Sequence, residues 1–178
     1  QQVVRAHNRI VRDALGQFNG KEVKHTGDGI MASFGSASDS VEASIYIQEK
    51  TLTHTKASPD LPLHLKIGLN AGEPIAEDDD LFGTTVQLAA RIVDKAQSEQ
   101  IFVSEIIRGI CAGKNLNFLN AGQFQMKGVA EPVTLYEALW NGSPNAGALS
   151  QAEAAQPEAA APEEVTAQPI AEPIVAQP

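Results

Sequence analysis

The 178 residues, 43 % hydrophobic but only 5 % aromatic, suffice for one domain with an aliphatic core plus a tail, and are too few for two full domains. The net charge of −9, with no run of lysine or arginine anywhere, excludes the basic face that a nucleic-acid partner requires. Cys111 is the sole cysteine, which rules out an internal disulfide and a cysteine-based zinc site, and no apolar stretch approaches the roughly 18 residues of a membrane helix.

The chain opens on Gln1, already inside a helical pattern: Val3, Val4, His7, Ile10, Val11, Ala14 and Leu15 recur at helical spacing, with Arg5, Arg9, Arg12 and Asp13 on other faces. It reads as a fragment. Gly16 to Gly20 break that helix, and Glu22–Thr26 and Ile30–Phe34 alternate around Gly27-Asp28-Gly29 as a hairpin with Asp28 at its tip. Ser38-Asp39 is the expected cap of a second helix reaching about Thr53. Leu63 to Asn70 alternates apolar and polar residues, the period of a strand with one buried face.

A short strand at Pro74–Ala76 precedes Glu77-Asp78-Asp79-Asp80, and a third helix is expected from about Thr84 to Ala96. Ile101–Val103 reads as a strand, Ser104 as the cap of a fourth helix, and Phe118 to Ala138 as two or three more strands with a turn at Lys127-Gly128. From Asn141 onward the chain holds six of its ten prolines, five glutamates, no basic residue and no aromatic, a composition that cannot form a core. The expected division is a domain over 1–140 and a disordered tail or linker over 141–178. Mixed helices and antiparallel strands predict an α+β domain of the ferredoxin-like kind.

Two segments carry chemistry. Lys24 to Phe34 reads KHTGDGIMASF, and Asp80 to Ile92 reads DLFGTTVQLAARI. Taken residue by residue, each has an ordinary alternative: Gly-Asp-Gly suits any turn, three successive aspartates suit a solvated one, Lys24 suits an exposed strand and Arg91 an exposed helix face. His7, His25, His54 and His64 are scattered with no close pair, and alternation sends Lys24 and His25 to opposite sides of their strand. Ser33 and Ser36 have no histidine and acid partners that would make a nucleophile.

Together, in this order and spacing, the two segments resemble the catalytic domain of class III nucleotide cyclases, over roughly residues 1 to 140. The family carries a metal aspartate in a hairpin, preceded by a lysine, and further on an aspartate three residues before a glycine, followed by T-V-N-x-A-x-R. Here these places hold Asp28, Lys24, Asp80, Gly83, Thr85-Val86-Gln87, Ala89 and Arg91. Lys127-Gly128-Val129, Pro132-Val133 and Leu135-Tyr136-Glu137 are similar to the family's closing strands. The Gly-Gly-Asp/Glu-Glu-Phe turn of diguanylate cyclases is missing.

The resemblance implies an α+β, ferredoxin-like cyclase domain with an antiparallel-rich sheet and flanking helices. It further implies an adenylate cyclase, a phosphorus-oxygen lyase that converts ATP to 3′,5′-cyclic AMP and pyrophosphate in intracellular signalling. Lys24 and Asp80 would read the adenine edge, Gly27 would lie with the substrate-binding residues, and Arg91 would stabilise charge on the α-phosphate. Gln87 stands where the family has the asparagine that orients the ribose. Asp28 would hold two Mg²⁺ or Mn²⁺ ions with a first metal aspartate expected upstream of Gln1. The implied assembly is a homodimer with sites between subunits, Asp28 of one chain facing Lys24, Asp80 and Arg91 of the other. The expected setting is the cytoplasm, with an upstream sensor or membrane region left open. The rival expectation is a catalytically inactive cyclase-homology module for dimerisation or nucleotide-dependent regulation, motivated by Gln87 and by the first metal aspartate that this sequence does not include.

Overall fold

The computed structural model describes residues 2–27 and 29–147. The amphipathic opening forms helix α1, Gln2–Gln17, and buries the expected His7, Ile10, Val11, Ala14 and Leu15 against Ala43, Ile47 and Leu63. Strands β1 (Gly20–Thr26) and β2 (Gly29–Phe34) follow as an antiparallel hairpin, with Thr26 paired to Gly29. Their register slips between Glu22 and Lys24, so Val23 is an extra residue. In a regular strand Glu22 and Lys24 would share a face; the slip reverses this. Glu22 and His25 accordingly meet at 3.1 Å on the α1 side, where Arg12 also binds Glu22 at 2.7 Å, and Lys24 is left facing the other way.

Helix α2, Ala37–Ala57, begins one residue before the expected cap at Ser38-Asp39 and continues four beyond Thr53. Ser36 caps it, its Oγ accepting from the Asp39 amide at 3.3 Å. A buried polar row along α2 explains a second departure. Thr55 Oγ1 accepts from the Leu63 amide and donates to the Leu63 carbonyl, and Gln48 Nε2 donates to the Leu65 carbonyl at 3.1 Å. The backbone of this stretch is thus bonded to helix side chains and, at the Leu65 carbonyl, to the Glu99 amide at 2.7 Å, and not by a regular strand ladder. Of the alternating run, Ile67–Leu69 alone becomes a strand, β3.

Next come the short hairpin of β4 (Ile75–Glu77) and β5 (Asp80–Phe82), helix α3 (Thr84–Lys95), strand β6 (Ile101–Ser104), helix α4 (Glu105–Ile110), and strands β7 (Phe118–Phe124) and β8 (Val133–Ala138). The main sheet has the order β3-β6-β8-β7; β3 runs parallel to β6, and the other pairs are antiparallel. One face packs Ile101, Val103 and Trp140 against Val41 of α2 and Ile107 of α4. The other packs Phe102 and Leu135 against Ile92 of α3. Gly68 sets the approach of α3 to β3: a Cβ there would lie 2.5 Å from the Val93 amide nitrogen, so the helix can sit this close only over a glycine. The chain is the expected α+β domain with an antiparallel-rich sheet and flanking helices.

Glu137, on β8, is the one buried acid among the described residues. Its Oε2 accepts from Gln100 Nε2 at 3.2 Å and from Asn145 Nδ2 at 2.6 Å, whereas Oε1 has no partner. Burial pushes this carboxyl above the usual range despite the two bonds. Trp140 donates its indole N–H to the Glu99 carbonyl at 2.9 Å, and Ser143, beyond it, is still buried. Of the tail expected over 141–178, residues 148–178 lie outside the described residues. No helix of the described chain is long and apolar enough to cross a membrane.

Candidate active site

Two hairpins bring two of the sequence-predicted residues, Lys24 and Asp80, together. The slip at Val23 aims Lys24 away from α1 and toward β5. The β4–β5 turn is made by Asp78 and Asp79, both in the left-handed region at φ 48° and 63°, where aspartate is tolerated better than most residues. Two successive positive φ values match the twist of a two-residue hairpin, so the acidic run is consumed by a tight turn. Asp80 is thereby the first residue of β5, paired with Glu77.

Across 56 residues of chain, Lys24 Nζ donates to Asp80 Oδ2 at 2.5 Å. The other carboxylate oxygen accepts from the Leu81 amide at 2.7 Å. The Lys24 bond and the Leu81 amide hold the Asp80 carboxyl below the usual carboxylate range, against a smaller opposing effect of burial. The pair is half-exposed, the lysine at 40 % and the aspartate at 27 %. It presents a donor and an acceptor side by side at an open surface. Phe82 has no place in the sequence motif, yet its ring lies under the Lys24 ammonium at 5.3 Å. The period-2 rule contained the signal, because Asp80 and Phe82 are two apart on one strand and share a face.

Asp79 is different: its carboxylate is almost fully exposed and lies 3.8 Å from Lys21, a contact of little energetic weight. Glu77 and Asp78 are exposed. Gly83 takes φ 105°, which lets the chain turn from β5 directly into α3, where the Gln87 amide donates to the Gly83 carbonyl at 3.0 Å. Gln87 and Arg91 follow at i and i+4, hence on one face of the helix. Gln87 is exposed, and Arg91 keeps only a loose contact with Asp94 at 3.8 Å, leaving its guanidinium largely uncommitted. Neither is bonded to Lys24 or Asp80. Asn70, at the end of β3, ties this helix start to the sheet by donating to the Thr85 carbonyl at 3.1 Å.

Gly27, at the hairpin end, has φ 71°. Asp28, the expected metal ligand, lies outside the described residues. Among the described residues no group of three or more His, Cys, Asp or Glu side chains is placed to hold a metal ion.

The family model described as the adenylate and guanylate cyclase catalytic domain matches residues 1–138. The chain is 31 % identical over 137 residues to the Rhizobium meliloti protein named "Putative adenylate cyclase 3", a match covering 76 % of this chain and 23 % of that protein. It thus spans less than a quarter of that relative's length. Among solved structures, an adenylate/guanylate cyclase/hydrolase from Silicibacter pomeroyi is 28 % identical with a TM-score of 0.67, covering 72 % of this chain and 78 % of the other. A guanylyl cyclase of known structure is 25 % identical with a TM-score of 0.68, covering 80 % and 81 %.

Proposed function

The chain belongs to the family of adenylate and guanylate cyclase catalytic domains, and from that premise we propose that it converts ATP to 3′,5′-cyclic AMP and pyrophosphate. The observation that carries the choice of ATP is the Lys24–Asp80 pair, a donor and an acceptor held side by side. The Watson–Crick edge of adenine offers an acceptor, N1, beside a donor, the N6 amino group, and an ammonium next to a carboxylate complements both. Guanine presents the reverse order, O6 accepting beside N1–H donating. Because Asp80 is held ionised by its partners, it remains an acceptor well into the acid range.

Arg91, permanently charged and loosely engaged, is the group that would meet charge developing on the α-phosphate, a task suited to a planar guanidinium. Gln87, one turn earlier on the same face, would position the ribose. Lys24, Asp80 and Arg91 of one chain are proposed to act with Asp28 of a second, so that the working unit is a homodimer with the nucleotide at the subunit junction. Class III cyclases are generally metal dependent, and Asp28 is the carboxylate this reading assigns to Mg²⁺ or Mn²⁺. Gln87 in place of asparagine favours a second reading, a cyclase-homology module that dimerises without turnover.

The test is cyclic AMP formation from ATP and Mn²⁺ by the protein expressed with whatever native sequence precedes Gln1, with dimerisation followed by light scattering. Cyclic AMP made by the dimer and lost in Arg91→Ala supports the cyclase. A folded dimer that makes neither cyclic AMP from ATP nor, when given GTP, cyclic GMP supports the module.

A further inference from the structure

Phe82 is a large aromatic side chain left 45 % exposed, opposite the still more exposed Ile75 on the β4–β5 hairpin. An exposed phenylalanine gains little from burial, so its position is better explained by what it touches. It touches Lys24. The lysine crosses from β1 and meets two residues of β5 at once, Asp80 at 2.5 Å and the Phe82 ring at 5.3 Å, because residues two apart on a strand project to the same side. An ammonium at this distance over an aromatic face is attracted by the ring's quadrupole. Without the ring, one ion pair at an open surface would have to restrain a four-carbon stem with full rotamer freedom, and such a pair alone restrains little.

We infer that Phe82 is a positioning residue for nucleobase recognition: its ring fixes the Lys24 ammonium beside Asp80, so that donor and acceptor keep the order that distinguishes adenine from guanine. This inference rests on the reading of the Lys24–Asp80 pair as a purine-edge contact. It adds a specificity-determining residue that contacts the lysine rather than the nucleotide phosphates or the reacting atoms. It also explains why the slip at Val23 matters, since a regular β1 would direct Lys24 toward α1 and away from both partners.

The experiment uses the full chain with its lysines reductively dimethylated by ¹³C-formaldehyde, a label that keeps the positive charge, and Lys24→Arg to assign the resonance. In the wild type the Lys24 methyl signal is expected upfield by the ring current; Phe82→Leu should return it to the position of a free lysine, and Phe82→Trp should retain the shift. Unlabelled proteins are then titrated with ATP and with GTP. Phe82→Leu is expected to weaken ATP binding about two- to fivefold, the range of a cation–π contact at an exposed site, with a smaller change for GTP. Phe82→Trp should restore the preference, which a purely structural role would not predict for a bulkier ring.

A wild-type Lys24 signal without a ring-current shift overturns the inference. So does a shift lost in Phe82→Leu while the ATP-to-GTP preference stays unchanged. If the wild type binds neither nucleotide, the purine-edge reading itself falls and the inference with it, and that case is recognised because the resonance of Lys24 still responds to Phe82→Leu.

Discussion

Glu137→Gln should stabilise the domain near neutral pH and do nothing for it in acid. The carboxyl is 1 % exposed, one oxygen accepts two amide bonds and the other none, and no cation accompanies it among the described residues. Glutamine keeps the shape and the two accepted bonds while removing the charge. Burial raises the native carboxyl above its ordinary value of 4.5. The folded state therefore binds the proton more tightly than the unfolded chain does. Such a group contributes its stability below about pH 4.5, and that contribution is lost as pH rises toward and through the native value.

Two donors already stabilise the charged form, and the new amide nitrogen inherits a position without a partner, so a gain of about 1 kcal/mol is expected. For a domain of this size that is a rise in Tm of roughly 2–4 °C at pH 7.5. The assay is thermal unfolding of both proteins followed by circular dichroism from pH 4 to pH 8. Curves that converge near pH 4.5 and diverge upward support the reasoning. An equal offset at every pH, or a less stable variant at pH 7.5, would refute it.

Three further outcomes follow from the site. Asp80→Asn exchanges an acceptor-only carboxylate for an amide that also donates, and should shift the ATP-to-GTP preference toward GTP by roughly tenfold, read from KM for each nucleotide. Arg91→Ala removes a group engaged only by Asp94 at 3.8 Å, so turnover should fall by about 10²–10³-fold while KM for ATP and the dimer remain close to wild type. An equal loss in KM would move Arg91 from the transition state to ground-state binding. Phe82→Leu, as argued above, should act through Lys24 and be rescued by tryptophan.

The parts of the fold that sequence made legible are those where local pattern and tertiary demand agree. The apolar stripe of α1 buries the face that periodicity predicts, and the D-L-F-G register places Asp80 at the mouth of α3. Lys24 and His25 do face opposite ways. What was illegible arises from bonds between distant segments. Leu63–Lys66 has a strand's alternation, but Thr55 of α2 bonds both backbone groups of Leu63, and the Leu65 carbonyl is shared by Gln48 and the Glu99 amide, bonds between distant segments that are invisible to any local window. The acidic run Glu77–Asp80 read as a solvated turn; that it is a two-residue turn between paired strands depends on left-handed conformations at Asp78 and Asp79. The extra residue at Val23 leaves no mark in composition, yet it decides which way Lys24 points. Phe82 has no local pattern that marks its role, because its contact with Lys24 joins strands far apart in sequence.

The most direct test of the cyclase reading is cyclic AMP formation from ATP and Mn²⁺ by the protein expressed with whatever native sequence precedes Gln1, beside Asp28→Ala in the same background. Activity in the first and its loss in the second, with both dimeric, is the predicted result. A folded dimer inert toward ATP in both forms, or activity undiminished by Asp28→Ala, would contradict it.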